Sequence, residues 1–294
     1  MLNVELIVPI YEEEESIKVF IDELEKISLP SKVNLNLTFI MDPGNDNSEN
    51  LLRQLIEEKK FKLRLKTIIL DKRIGQANCI YVGLKLSSAD AAIVIDVDLQ
   101  DPVNLIPFMI EKWLDGYEVV LPRRVESKLK LHLIPSQIFY FMINLFSFNR
   151  IPKNVGDFRL LDKRVIESII EQKPFKPFLR GDTDYLKYNS LIFDFKRKKR
   201  EIGETRYSNN YMRFKVAFNA LLNYSFFFQF QLIIIFGVFL VNELYLKLKL
   251  NILKFDLVQL VLVFLFLVTI LLILINHNFK KRKILNFRIE KILD

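Results

Sequence analysis

Residues 93–102, Ile-Val-Ile-Asp-Val-Asp-Leu-Gln-Asp-Pro, are a short apolar run that ends in three acids and a proline. Asp96 and Asp98, one residue apart, with the amide oxygen of Gln100 two further on, are hard oxygen donors suited to Mg²⁺ or Mn²⁺, ions that commonly bridge protein and substrate phosphates. An apolar run of this length predicts a buried parallel strand, and its acids would emerge at the C-terminal edge, where open α/β sheets bind ligands. The same residues would also serve as an acidic loop capping the next helix, and spacing alone does not choose between the two.

The elements that must position those acids follow from the pattern on either side. Residues 4–10 read as a first strand, with Pro9 ending its pairing. Glu12 to Glu15 fill the first turn of a helix running to about residue 27, where acids favour the positive end of the helix dipole. A second strand over 35–41 stops at the dense turn signal 42–48, and Ser48 is placed to cap the helix that follows. A strand over 63–70, a helix over 75–86, the strand 91–95, a helix over 104–115 and a strand over 118–121 complete a series that implies a doubly wound, mostly parallel sheet. Asp101 and Pro102 are expected to shape the start of the next helix.

The chain has 294 residues and a net charge of +8. It is long enough for one large α/β domain or two ordinary ones. Its single cysteine, Cys79, rules out an intrachain disulfide and reads as a small buried hydrophobe in a helix. Residues 257–275 are almost wholly apolar and make a helix of about 28 Å, close to the thickness of a bilayer's hydrocarbon core. Residues 226–246 form a second span whose polar Gln229, Gln231, Asn242 and Glu243 sit towards its ends. Two spans make a hairpin. Lys280-Lys281-Arg282-Lys283 then puts the tail, and the N-terminal domain with it, on the cytoplasmic side of the inner (cytoplasmic) membrane, although Lys247, Lys249 and Lys254 in the connection work against that bias. No signal peptide is read at the N-terminus. The resulting division is a catalytic domain over 1–207, a juxtamembrane amphipathic helix over 208–225, two membrane helices with a short connection over 226–275 and a basic cytoplasmic tail over 276–294.

The positive charge calls for an anionic partner, and beside membrane spans that is lipid headgroup or phosphate; no nucleic-acid module is present. The run Lys196-Arg197-Lys198-Lys199-Arg200 reads either as a solvated edge strand protected by charge or as a patch at the membrane surface. The helix expected over 210–222 would lie in the interface, and the aromatics of 134–148 are expected to pack. His132 and His277 have no metal-ligand company.

Four stretches, in order, resemble family 2 glycosyltransferases of the polyprenyl-phosphate type. They are Val8-Pro9-Ile10-Tyr11 with its acids, the Asp96 to Pro102 run, Asn154-Val155-Gly156-Asp157-Phe158-Arg159-Leu160, and Gly203-Glu204-Thr205-Arg206-Tyr207 before the apolar spans. The resemblance covers nearly the whole chain. It implies a GT-A catalytic domain, Rossmann-like with a mostly parallel α/β sheet, followed by a C-terminal two-helix transmembrane hairpin. It implies a nucleotide-sugar donor, a polyprenyl phosphate acceptor, Mg²⁺ or Mn²⁺, and contact with the bilayer, with homo-oligomerisation left open. By residue, Pro9, Tyr11, Glu13 and Asp42 match the donor pocket, Asp42 at the base. Asp96, Asp98 and Gln100 match the metal and diphosphate site. Asp157, Asp98 and Arg159 match the reacting centre, and Arg200 and Arg206 face donor phosphate.

The chemistry suits these types. Cleavage of the anomeric bond leaves a nucleoside diphosphate whose growing charge a divalent ion and arginines can stabilise. A lipid phosphate, with a second pKa of about 6, is largely ionised near neutral pH and can attack without a strong base. Two anions must then be held together, which gives Arg123 and Arg124 at the acceptor phosphate, with Arg159 and Arg180, a task in screening. Asp157 is better placed to orient an arginine or the sugar than to remove a proton. The departures from the family pattern are Glu12 for the common Asn, Asp42-Pro43-Gly44 for Asp-Gly-Ser, and Arg73-Ile74-Gly75-Gln76 where a basic residue ends the loop. The absence of Gln-x-x-Arg-Trp disfavours chain polymerisation. The reaction so implied is inverting transfer of one hexose, from a UDP-sugar such as UDP-glucose, to undecaprenyl phosphate for surface glycan modification. The rivals are a catalytically inactive membrane scaffold and a metal-dependent nucleotidyltransferase, which lacks the glycine-rich, lysine-bearing N-terminal loop that chemistry needs.

Overall fold

The computed structural model describes residues 1–58, 61–125, 134–145, 151–172, 177, 179–183, 185–197 and 288–294, together with helical positions 237, 241, 245 and 267. The helix expected over 210–222, Arg200, Arg206 and, apart from those four positions, both apolar spans lie outside the described residues. Among the described residues no helix is long and apolar enough to cross a membrane.

The first half alternates regularly: β1 (Leu2–Ile10), α1 (Glu14–Leu24), β2 (Val33–Met41), α2 (Ser48–Glu58), β3 (Arg64–Leu70), α3 (Gln76–Leu86) and β4 (Ala91–Val94). A 3-10 turn (Val103–Leu105) leads into α4 (Ile106–Leu114), followed by β5 (Val119–Arg124) and α5 (Ile134–Leu145). Then come β6 (Arg159–Asp162), α6 (Lys163–Glu171), the single turn α7 (Leu179–Asp182), β7 (Ser190–Phe195) and, at the C-terminus, β8 (Ile289–Leu293). They form one sheet in the order β7-β5-β6-β4-β1-β2-β3-β8.

The sheet is mixed. β1, β2, β3 and β4 run parallel, as do β5 and β7, but β6 lies antiparallel between β4 and β5, and β8 antiparallel on β3. Residues 288–294, expected as part of a basic tail, therefore carry the outermost strand of the sheet. Pro9 does not end β1 as expected: it stays in register with Ile40, and Ile10 with Met41. The Ile7 carbonyl accepts from Ile95 on the β4 side and the Ile10 carbonyl from Asp42 on the β2 side. Alternation then turns the absent Pro9 donor towards β4, where pairing has already stopped at Ile7 and Val94.

Alternation also divides the core. Val4, Leu6 and Val8 pack with α1, α2 and α4 through Phe20, Leu52 and Met109, while Ile7 and Ile40 pack with α3 and α6 through Ile80, Val82 and Ile166. Gly83 brings α3 against the sheet so closely that a Cβ there would overlap Ile7 Cγ2 and lie 3.1 Å from Ile40 Cγ1. Gly83→Ala is expected to push α3 outward and to cost about 1–3 kcal/mol of stability, read as a lowered denaturant midpoint.

Candidate active site

The strand order reverses between β1 and β4: β2 and β3 build outward on one side of β1, and the chain then returns to lay β4 on the other. Such a switch point leaves a crevice beyond the carboxyl ends of the strands. Here the crevice is widened because β1 and β2 continue three residues past the last β1–β4 pair. Asp96 and Asp98 lie at its mouth, just after β4.

Asp96 Oδ1 accepts from Gln76 Nε2 at 2.7 Å, a contact made by the first residue of α3. Asp98 Oδ1 accepts the Gln100 N–H at 3.1 Å across Leu99, which takes a left-handed φ of 57°. A branched side chain adopts that conformation at a cost of about 1–2 kcal/mol, and here it turns the Gln100 N–H back to Asp98. Each carboxylate takes its bond through Oδ1. Burial first, then repulsion from Asp157, Asp98 and Asp101, pushes the Asp96 carboxyl up to about 7, against the pull of Arg124. A position so hostile to a bare carboxylate suits a divalent cation, which takes one or two carboxylates and completes its shell with water and phosphate oxygens. Among the described residues no group of three His, Cys, Asp or Glu side chains converges to hold a metal ion.

On the β2 side, Asp42 is only 1% exposed. Its oxygens accept the Ile74 N–H at 2.9 Å and the Gly75 N–H at 2.7 Å, and the Cys79 thiol, whose pKa burial raises, also turns to it. The sequence placed Asp42 on the base; in the fold its carboxylate is committed to the 73–75 loop. The loop in turn lays Arg73 over the Tyr11 ring, 3.6 Å from its centroid. Glu13 and its neighbours are stapled to the β2–α2 turn: the Glu13 N–H donates to Ser48 Oγ, Ser48 Oγ donates to Asp46 Oδ2, and Asn47 N–H donates to Glu14 Oε2. Ser48 thus bridges α1 to the turn and is already within α2 rather than capping it. Glu12 has a φ of 52° and its Cγ would lie 2.5 Å from a Cβ at position 44, so Gly44 is what makes room for it.

On the other side the basic residues are already paired. Asp101, 1% exposed, receives Arg124 Nη2 at 2.9 Å and faces Arg197 Nε at 3.3 Å. It anchors β5 and the end of β7 rather than opening the next helix. Arg123 points the other way along β5, pairing with Asp194 at 2.6 Å. Adjacent residues of a strand face opposite sides, and Arg123 and Arg124, expected together at an acceptor phosphate, pair with different acids. Asp157 receives Arg180 Nε at 3.1 Å and Nη2 at 3.4 Å. Burial by itself would raise the Asp157 carboxyl, but Arg180, Arg159 and Arg124 outweigh it and hold it below the usual carboxylate range.

Residues 5–170 match the family described as glycosyl transferase family 2. The chain belongs to that family. It is similar to the uncharacterized glycosyltransferase YkcC of Bacillus subtilis (strain 168), 32% identical over 222 residues that make up 75% of this chain and 68% of that one. It is also similar to the prophage bactoprenol glucosyl transferase homolog of Escherichia coli (strain K12), 29% identical over 226 residues, 76% of this chain and 72% of that one. Among solved structures, a mannosyltransferase from Pyrobaculum calidifontis in complex with GDP-Man and Mn²⁺ aligns with a TM-score of 0.48 and 15% identity, over 73% of this chain and 60% of that one.

In this glycosyltransferase, Arg159, expected at the reacting centre, lies beside Asp157 as a buried side chain that holds backbone. It is 1% exposed, and burial lowers its guanidinium to about 10 in spite of Asp157. Nη1 donates to the Leu179 carbonyl at 3.1 Å and to Thr183 Oγ1 at 3.3 Å, and Nη2 to the Gly156 carbonyl at 2.5 Å. Arg159 therefore ties the stretch carrying Asp157 to α7, which carries Arg180. Gln76 and Arg180 are the contacts least visible in sequence, since neither has a fixed spacing from the acid it meets. Arg159→Ala is expected to strand the Gly156 carbonyl, at about 1–3 kcal/mol, while the Leu179 carbonyl keeps the Thr183 N–H and hydroxyl, and Arg159→Lys to recover part of the loss; denaturant unfolding of the three forms measures it.

Proposed function

We propose that this glycosyltransferase moves one hexose, with inversion, from a nucleotide sugar to a polyprenyl phosphate at the cytoplasmic face of a membrane, with a UDP-sugar such as UDP-glucose as donor and undecaprenyl phosphate as acceptor. The observation that carries the reading is the antiparallel β4–β6 register, with Val94 opposite Arg159, which brings the Asp157–Arg180 pair to the same rim as Asp96 and Asp98; the raised Asp96 carboxyl agrees with that proximity. The relative named as a bactoprenol glucosyl transferase homolog supports the acceptor. The apolar runs 226–246 and 257–275 support the membrane. The pairing of β8 with β3 supports a hairpin, because it joins stretches on either side of those runs in one sheet.

In this reading Tyr11 and Arg73 form the wall on which the nucleobase rests, and Asp42 acts from beneath by fixing the loop. Asp96 and Asp98 would hold Mg²⁺ or Mn²⁺, which supplies neutralisation of the leaving diphosphate when bound. Arg180, held by Asp157, presents positive charge beside the reacting atoms, and Asp157 orients it instead of removing a proton. The ionised acceptor phosphate attacks the anomeric carbon directly, so a single displacement inverts that centre. Arg200 and Arg206 belong to the same proposal as phosphate-facing residues.

Incubation of the purified chain with undecaprenyl phosphate, Mn²⁺ or Mg²⁺ and a panel of labelled UDP- and GDP-sugars is expected to give lipid-linked monosaccharide. Asp96→Asn should lower kcat by about a hundredfold or more; a silent panel with the unaltered chain would sink the proposal. Metal binding requires an ionised ligand, and the Asp96 carboxyl titrates at about 7. Mn²⁺ affinity should therefore drop about tenfold per pH unit below that value and level off above it, with one proton released per ion in calorimetry at pH 6.

A further inference from the structure

β8 closes the sheet at its far edge while burying almost nothing. Ile289 and Ile292 remain 37% and 48% exposed, and only Leu293 packs on the core. Its contacts are of another kind. Leu293, Ile292 and Lys291 pair with Thr67, Ile68 and Ile69, and after a shift in register Ile289 meets Leu70. Beyond the last pair, the Asp71 N–H donates to the Arg288 carbonyl at 3.1 Å, and the Arg288 N–H donates to Asp71 Oδ1 at 3.2 Å. Lys291 reaches Glu49 on α2 at 3.4 Å.

Asp71 is the root of the loop that carries Arg73 over Tyr11 and offers the Ile74 and Gly75 amides to Asp42. The register shift between Ile69 and Leu70 falls just before that root, and such irregularities re-aim the chain that follows them. An edge strand that adds little apolar burial and ends in a closed pair of bonds at a loop root is suited to setting that loop's direction.

We propose that β8 is a positioning element for donor binding: by pairing with β3 and clasping Asp71 it holds the 71–75 loop in the conformation that covers Tyr11 and grips Asp42. The C-terminus of the chain then sets affinity for the nucleotide and leaves the chemical step alone. This rests on the reading of the Tyr11–Arg73 wall as the donor-base site.

The test compares the full chain in lipid nanodiscs with a form ending at residue 287 and with Asp71→Ala, Asp71→Asn and Arg73→Ala, using UDP-glucose, Mn²⁺ and undecaprenyl phosphate. Truncation and Asp71→Ala should raise the donor KM about five- to tenfold, the equivalent of one or two lost hydrogen bonds. Both should leave kcat and the acceptor KM within about twofold, since only ground-state donor binding changes. Asp71→Asn keeps the accepting oxygen and should behave as the unaltered chain. Hydrogen exchange at the Ile74 and Gly75 amides, which needs no donor, should quicken about tenfold on truncation. An unchanged donor KM together with unchanged exchange overturns the proposal, as does a loss confined to melting temperature and kcat. If Arg73→Ala leaves the donor KM untouched, the donor-base reading fails; if Arg73→Ala raises it and truncation does not, β8 alone has been misassigned.

Discussion

Like charges crowded at the rim of an apolar sheet are the constraint on which this domain depends. Asp96, Asp98, Asp101 and Asp157 come close enough that three of them, after burial, raise the fourth. Water cannot screen them fully where β4 sinks into the core. The chain answers with Arg124, Arg159 and Arg180, all drawn from its later elements, and each also joins segments that would otherwise be independent. Arg124 brings β5 to Asp101, Arg180 brings α7 to Asp157, and Arg159 holds the intervening backbone. Asp101 thus ties β5 and the end of β7 to the stretch after β4, and Asp157 ties α7 to the stretch before β6.

The sequence made the first half of the fold legible because its signals are local. Strands of seven to nine residues with clear turn residues announce β1, β2 and β3, and the helices between them carry apolar faces of ordinary period. β6 escaped notice because Arg159-Leu160-Leu161-Asp162 is four residues long and reads equally as the start of a helix. Its place between β4 and β5 is set by long-range pairing. β8 was hidden by the charges before it, since Ile-Glu-Lys-Ile-Leu has no strict alternation and finds its partner more than two hundred residues earlier.

Within the site, residue types were readable and their partners were not. Asp96 and Asp98 stand where a strand ending in acids should place them. Asp42 and Arg159 show the opposite case: a carboxylate or guanidinium in a recognisable motif can face inward and hold backbone, and only the fold tells the two uses apart. Arg123 and Arg124 could have been separated by strand parity alone, had β5 been extended past Leu121. Glu12 and Gly44 looked like two independent departures and are one contact, because the missing Cβ at 44 is filled by the longer side chain at 12.

The two ends of the sheet have a geometric consequence of their own. β7 runs parallel to β5 and so finishes at the rim that carries Asp96, whereas β8, antiparallel to β3, starts at that same rim. Seven strand spacings, roughly 33 Å along the sheet, separate the place where the chain leaves from the place where it returns. The crevice at Asp96 lies between those two points, so the chain leaves the sheet and rejoins it on the rim that carries the crevice, once on either side of it.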